Sequence, residues 1–145
     1  MLEMLKKSGI SQIIYTGTSQ SRKPDILLNL YKEEKFKGSF IAEIKCRKKK
    51  YIYNKNQDND VMSQIQDYNK FEYYNSMGNE PPVSDAIKKI VVIYPKQEGK
   101  CKFKDDLYGF SFIQVSPTDL EEKPYGYNEL KEEICEFLGD EIVNN

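Results

Sequence analysis

The run Lys89–Tyr94 (KIVVIY), ended by Pro95, constrains this chain more than any other stretch. Its apolar residues follow one another without the alternation of a half-exposed strand. A run this short and this β-branched reads as a strand buried on both faces. Such a strand calls for a sheet with helices packed on it. The remaining segments supply both. Residues 1–8 (MLEMLKKS) read as a short helix stopped by Gly9, and a helical pattern already running at Met1 suggests a piece of a longer protein. Ser11–Thr16 (SQIIYT) reads as a strand, and 17–23 as a polar loop. Pro24 suits a strand start, so Asp25–Lys32 is the second strand. Residues 33–38 (EEKFKG) form the turn, with Gly38 supplying the permissive backbone. Ser39–Lys45 is the third strand, and three consecutive strands imply an antiparallel meander. Residues 46–59 (CRKKKYIYNKNQDN) read as a loop, with Asp58 or Asn59 capping a helix over Asp60–Met77 that stops at Gly78. After a linker (79–85) and the Lys89–Tyr94 strand come a charged loop (96–106) and a strand over Leu107–Val115. A closing helix from about Asn128 to Leu138 has an apolar stripe of Leu130, Ile134, Phe137 and Leu138. The order is α-β-β-β-α-β-β-α, a single α/β domain over 1–145 with a central mixed β-sheet flanked by helices.

With 145 residues the chain can bury a core without disulfides or a structural metal. Its net charge of −1 excludes a globally basic nucleic-acid binder, so any pull on a polyanion must be local. Its apolar runs are too short to span a membrane, and no secretory signal is visible. Cys46, Cys101 and Cys135 are isolated, which suits a reducing cytoplasm. The chain has no histidine. That removes Ser-His-Asp and Cys-His nucleophiles, histidine zinc sites and histidine bases. Catalysis, if any, falls to carboxylates, Lys or Tyr, with a hard cation that takes oxygen ligands.

One constellation meets that description. Glu43 and Lys45, two apart on a strand, share a face with Ile41, while Ala42, Ile44 and Cys46 face the other way. Taken alone the pair reads as a weak surface salt bridge. Asp25 opens the preceding strand, and a hairpin register brings it beside Glu43 or Lys45. Two neighbouring carboxylates repel, and a divalent cation relieves that. The plain alternative for Asp25 is turn chemistry after a proline. On the next helix, Val61, Ile65 and Tyr68 make an apolar face continued near Phe71. Gln64 falls inside that face, four residues from Tyr68. A buried amide needs partners, and the carboxylates or a phosphate would serve. The alternative is a core tyrosine with a glutamine at its edge.

Arg47, Lys48, Lys49 and Lys50 follow directly, with Lys55 beyond. This basic cluster suits phosphate contacts that position a nucleic acid without reading bases. A solvated loop is the alternative. Tyr51 and Tyr53 stack on bases or pack down on the sheet. Tyr73 and Tyr74 end the helix as packing residues, Cys46 is buried on the reverse face, and Asp105 and Asp106 sit in a solvated turn.

The ordered set Pro24-Asp25, Glu43-Ile44-Lys45 and Gln64-Ile65-Gln66-Asp67-Tyr68 resembles the PD-(D/E)xK nuclease superfamily with a Q-x-x-x-Y helix. Within it, the chain is most similar to the nuclease domain of McrC-like restriction endonuclease subunits. The VVIYP ending at Tyr94–Pro95 fits that subgroup, and the likeness spans roughly residues 11 to 95. The resemblance implies a restriction-endonuclease-like α-β-β-β-α-β core with an added strand and C-terminal helix. It implies a Mg²⁺-dependent (or Mn²⁺-dependent) DNA endonuclease, the cleavage component of a restriction system, with Asp25, Glu43 and the Ile44 carbonyl as metal ligands. Lys45 then orients or activates the attacking water or stabilises charge on the phosphate, and Gln64 and Tyr68 support the site. Glu3 is the sole candidate for the first-helix glutamate of many such nucleases. Expected partners are DNA, an AAA+ NTPase and a second copy of the chain, and no membrane; the chain itself has no GxxxxGK[ST] phosphate loop. The rival expectation is a catalytically silent nuclease-fold module that binds nucleic acid or assembles with other proteins.

Overall fold

The computed structural model describes residues 11–15, 23–53, 60–75, 80–119 and 122–139. Its elements in chain order are β1 (Ser11–Tyr15), β2 (Ile26–Lys32), β3 (Lys35–Ile44), α1 (Lys49–Ile52), α2 (Asp60–Tyr68), β4 (Phe71–Asn75), β5 (Ile87–Pro95), β6 (Lys102–Lys104), β7 (Ser111–Val115) and α3 (Tyr127–Leu138). Five strands form a mixed sheet in the order β2-β3-β5-β7-β6. The β3–β5 and β5–β7 pairs are parallel, and the outer pairs are antiparallel. The expected α/β class with a mixed central sheet is thus present. The expected helix over 1–8, its Gly9 stop, the caps Asp58 and Asn59, and Gly78 lie outside the described residues.

The strand Ile87–Pro95 is buried on both faces, as its unbroken apolar run requires. Ile90, Val92 and Tyr94 join Ile41, Phe112 and the α2 residues Val61, Met62, Ile65 and Tyr68 on one side. Val91 and Ile93 join Phe40, Ala42 and Ile113 on the other, covered by Leu130, Ile134 and Phe137 of α3. Each fully buried large side chain contributes roughly 1.5–3 kcal/mol by leaving water. An ionic clamp adds to the second layer. Glu133 of α3, buried, pairs with Lys89 of β5 and with Lys102 of β6 at 2.6 Å, and accepts the Ser111 hydroxyl of β7 at 2.9 Å. Three strands are thereby tied to one helix. The chain enters α3 through Gly126, at φ 86°, where a Cβ would stand 2.1 Å from the Gln114 carbonyl oxygen. Glycine is needed there for both the backbone angle and the close approach.

Several expectations are overturned. β1 does not continue a three-strand meander; it pairs antiparallel with β4, with Ile13 opposite Tyr73. The helix from Asp60 ends at Tyr68, not Met77. Amides of Asn69 and Lys70 bond back to Gln66 and Asp67, and Phe71–Asn75 runs on as a strand. The reason is period. Phe71 and Tyr73 are buried while Tyr74 is exposed, so this aromatic stretch alternates by two and does not extend the helical face. Tyr73 stacks on Phe36 at 3.7 Å and exchanges backbone hydrogen bonds with Val83 in the expected linker. The hairpin turn is carried by Glu33 and Glu34, with φ of 50° and 65°, while Gly38 lies inside β3. Gly38 serves packing: a Cβ there would meet Lys88 Cγ at 2.5 Å.

The supposed loop after β3 contains the single-turn helix α1, whose Ile52 is fully buried. The charged loop 96–106 holds strand β6, and the strand expected from Leu107 starts at Ser111. Cys46, expected inside, is exposed, because the sheet has ended before it. Asp105, expected in solvent, is buried and accepts the Tyr53 hydroxyl at 2.8 Å and the Tyr108 amide. Among the described residues, no helix is long and apolar enough to cross a membrane.

Candidate functional site

The carboxyl ends of parallel β3 and β5 make one edge of the sheet, where open α/β folds place their ligand sites. β3 delivers Glu43 to that edge on the α2 face and leaves it through Lys45. The β2–β3 register pairs Ile26 with Ala42 and Leu27 with Ile41. Continued by one residue, it sets Asp25 opposite Glu43. α2 lies across the same face and points Gln64 and Tyr68 down, one turn apart.

The side chains of Glu43, Lys45, Gln64 and Tyr68 form one bonded group, which Asp25 joins through its backbone amide. Glu43, 2% exposed, takes four donors. Its Oε1 receives Lys45 Nζ at 2.6 Å and Gln64 Nε2 at 3.2 Å. Its Oε2 receives the Tyr68 hydroxyl at 2.9 Å and the Asp25 amide at 3.3 Å. Gln64 also donates to the Tyr68 oxygen at 2.8 Å and accepts from Lys45 Nζ at 3.0 Å. A buried carboxylate is tolerable only with this degree of pairing. The Tyr68 hydroxyl also lies 3.3 Å from the Lys23 carbonyl. Burial and the bond to Glu43 push the Tyr68 phenol well above its ordinary value, so it remains a protonated donor.

Asp25 is exposed. Its Oδ2 accepts the Ile44 amide at 2.8 Å, and among the described residues Oδ1 takes no hydrogen bond. An extended residue carries its N–H and C=O on the same edge of the strand, so the Ile44 carbonyl lies on the Asp25 side as well. The β2–β3 pairing ends at Ile26–Ala42, and Pro24, just before Asp25, has no N–H to donate. Among the described residues no group of three or more His, Cys, Asp or Glu side chains comes together. The oxygen donors here are two carboxylates and a backbone carbonyl. That set suits a hard cation that keeps several waters, and not a transition metal that prefers nitrogen or sulfur.

Arg47, Lys48, Lys49 and Lys50 are all exposed and run from the end of β3 across the same sheet edge. The Lys49 amide donates to Gln97 Oε1 at 3.0 Å, beyond the end of β5, and Lys49 Nζ sits 4.1 Å from the centre of the Phe103 ring. Tyr51 is exposed, whereas Tyr53 packs against Phe103 and Phe112. Burial together with the bond to Asp105 pushes the Tyr53 phenol up to about 12. Lys55 and Glu3 lie outside the described residues.

Sequence reasoning missed Gln97 and Asp105, which seat the basic segment. Both stand in a charged stretch whose composition signals only solvent exposure, and nothing local marks them. Compared with known protein families, with curated proteins and with solved structures, the chain shows no match.

Proposed function

We propose that this chain is a Mg²⁺-dependent deoxyribonuclease of the PD-(D/E)xK kind, the cleavage component of a restriction system that works with an AAA+ NTPase. The observation that carries the reading is the bonded group at the sheet edge. An exposed aspartate with an open oxygen stands beside a buried glutamate, and a lysine is held between that glutamate and a glutamine. Asp25, Glu43 and the Ile44 carbonyl would hold Mg²⁺ (or Mn²⁺), which when bound would supply a water of lowered pKa and positive charge beside the phosphate. The protein's own part is positioning. Lys45, anchored by Glu43 and Gln64, presents an ammonium to the attacking water or the phosphate. Tyr68 and Gln64 fix the Glu43 carboxylate, and Arg47–Lys50 offer phosphate contacts beside it.

One observation favours a second reading, the catalytically silent module. Both oxygens of Glu43 are already filled by protein donors, so the group is stable without a cation. The two readings part in one experiment. Plasmid, linear duplex and single-stranded DNA are incubated with Mg²⁺ or Mn²⁺ and the parent, Asp25→Ala or Lys45→Ala protein. The nuclease reading expects cleavage by the parent, its loss with a chelator, and a drop of about 100-fold or more in both variants, whose folding is retained. Equal cleavage by all three proteins sinks the site assignment. DNA binding with neither cleavage nor a metal-dependent rise in melting temperature establishes the silent module.

A further inference from the structure

The edge that carries the Asp25–Glu43 group does not stop at Arg47–Lys50. Gln97 receives the Lys49 amide, and its neighbour Lys96 places its ammonium 4.3 Å from the centre of the Tyr125 ring. Tyr125 in turn is bridged to Ser116, one residue past β7. Immediately beyond, Lys123 lies 5.3 Å from the ring centre of Tyr127, the first residue of α3. On the near side Lys50 lies 4.8 Å from the ring centre of Tyr51. A sequence of lysine–tyrosine pairs therefore follows the carboxyl ends of β3, β5 and β7. Lys50, Lys96 and Lys123 are exposed, Tyr51 and Tyr127 are 58% and 43% exposed, and Tyr125 is half-buried. Among the described residues, Glu98, Asp119 and Glu122 are exposed acids adjoining this line, and Glu129 faces Tyr125.

Surface tyrosines alternating with cations suit one ligand in particular. Unpaired bases stack on rings of any kind, and the intervening phosphates meet the lysines. In a duplex the base faces are covered by their neighbours, and readout needs an element that enters a groove. Among the described residues this edge offers none: α1 is one turn, held flat by its buried Ile52 and by the Lys49–Gln97 bond. We propose that the edge is a binding track for single-stranded nucleic acid, running from the Asp25–Glu43 group past Lys50 and Tyr51, over Lys96 and Tyr125, to Lys123 and Tyr127. This deepens the nuclease reading by naming an unpaired strand as its substrate class, and for cleavage it rests on that reading.

The test is fluorescence anisotropy of the full chain with a labelled oligothymidine of about 12 nucleotides, in chelator, against a blunt duplex of equal length. Tighter binding of the single strand supports the track. So does a loss of about 5-fold or more in its affinity for each of Tyr51→Ala and Tyr127→Ala. Lys96→Ala and Lys123→Ala should each lower the salt slope by about 0.7. Lys35→Ala, at the far end of β3, should leave affinity unchanged. A duplex bound as well as the single strand, or tyrosine variants that bind like the parent, overturns the proposal. Asp25→Ala separates the two readings, since it should lose cleavage and keep oligothymidine affinity. Cleavage by the parent with unaffected tyrosine variants sinks the track alone. Tyrosine-dependent binding without cleavage sinks the nuclease reading alone.

Discussion

Tyr68 shows how one buried hydroxyl organises the residues around it. It accepts from Gln64 and donates to Glu43, closing a ring whose other link is the Gln64–Glu43 bond. Phenylalanine would keep the packing against Phe71 and remove the donor. Glu43 Oε2 would be left with the longer Asp25 amide bond, and Gln64 would lose an acceptor. Tyr68→Phe should therefore cost about 1–3 kcal/mol of stability, measured by urea unfolding. On the proposed nuclease reading, cleavage should fall by about 10-fold, with the larger part in kcat, because the carboxylate is less firmly aimed and not removed. An unchanged unfolding midpoint would show that the ring adds nothing to the fold. Asp25 and Glu43 were legible in the sequence because strand periodicity and a hairpin register are local rules. That Glu43 would be buried and four-fold bonded was not, because its burial depends on where α2 lands.

At the scale of elements, the segment after β3 is the most informative. Its composition is basic and polar, and composition alone reads as loop. The structure turns it into a strap: Ile52 is buried against the α2 side of the sheet, Tyr53 bonds to Asp105, and Lys49 bonds to Gln97. Ile52→Ala should lower stability by about 2–5 kcal/mol, the range for emptying a core aliphatic site. A solvated loop would lose less than about 0.5 kcal/mol, so equilibrium urea unfolding decides between the two. β4 teaches the same lesson. F-E-Y-Y follows a helical segment with no proline or glycine between, so the helical pattern carries forward on paper. The chain instead turns at Asn69–Lys70 because β1 offers a pairing edge that local propensity does not register.

At the scale of the whole molecule, the two faces of the sheet divide the polar burial. One face holds the Asp25–Glu43 group, and the other holds the Glu133 clamp. Burial pushes the Glu133 carboxyl up, but Lys102, Lys89 and the Ser111 hydroxyl outweigh it and hold the group below its ordinary 4.5. Unfolded, it returns to that ordinary value. Between the two values the unfolded chain binds the extra proton, so this contribution is present above about pH 4.5 and is lost as pH falls through the folded value. Glu133→Ala leaves two lysines without their shared partner and should cost about 3–5 kcal/mol at neutral pH. It should also flatten the acid limb of stability against pH, read from urea midpoints across the range. An acid limb as steep as the parent's would place the acid sensitivity elsewhere.

What the sequence determined by itself is what short-range periodicity can carry. It includes the α/β class, the doubly buried strand at Lys89–Tyr94, the side-chain parity that puts Glu43 with Ile41 and apart from Ala42, and the exclusion of histidine chemistry. Tertiary structure decided which strands pair, that β1 joins β4, and that Asp105 and Glu133 are buried. It also decided that lysines and tyrosines from three separate segments line one edge. Those outcomes depend on contacts between residues distant in the chain, whose desolvation and pairing no local pattern encodes.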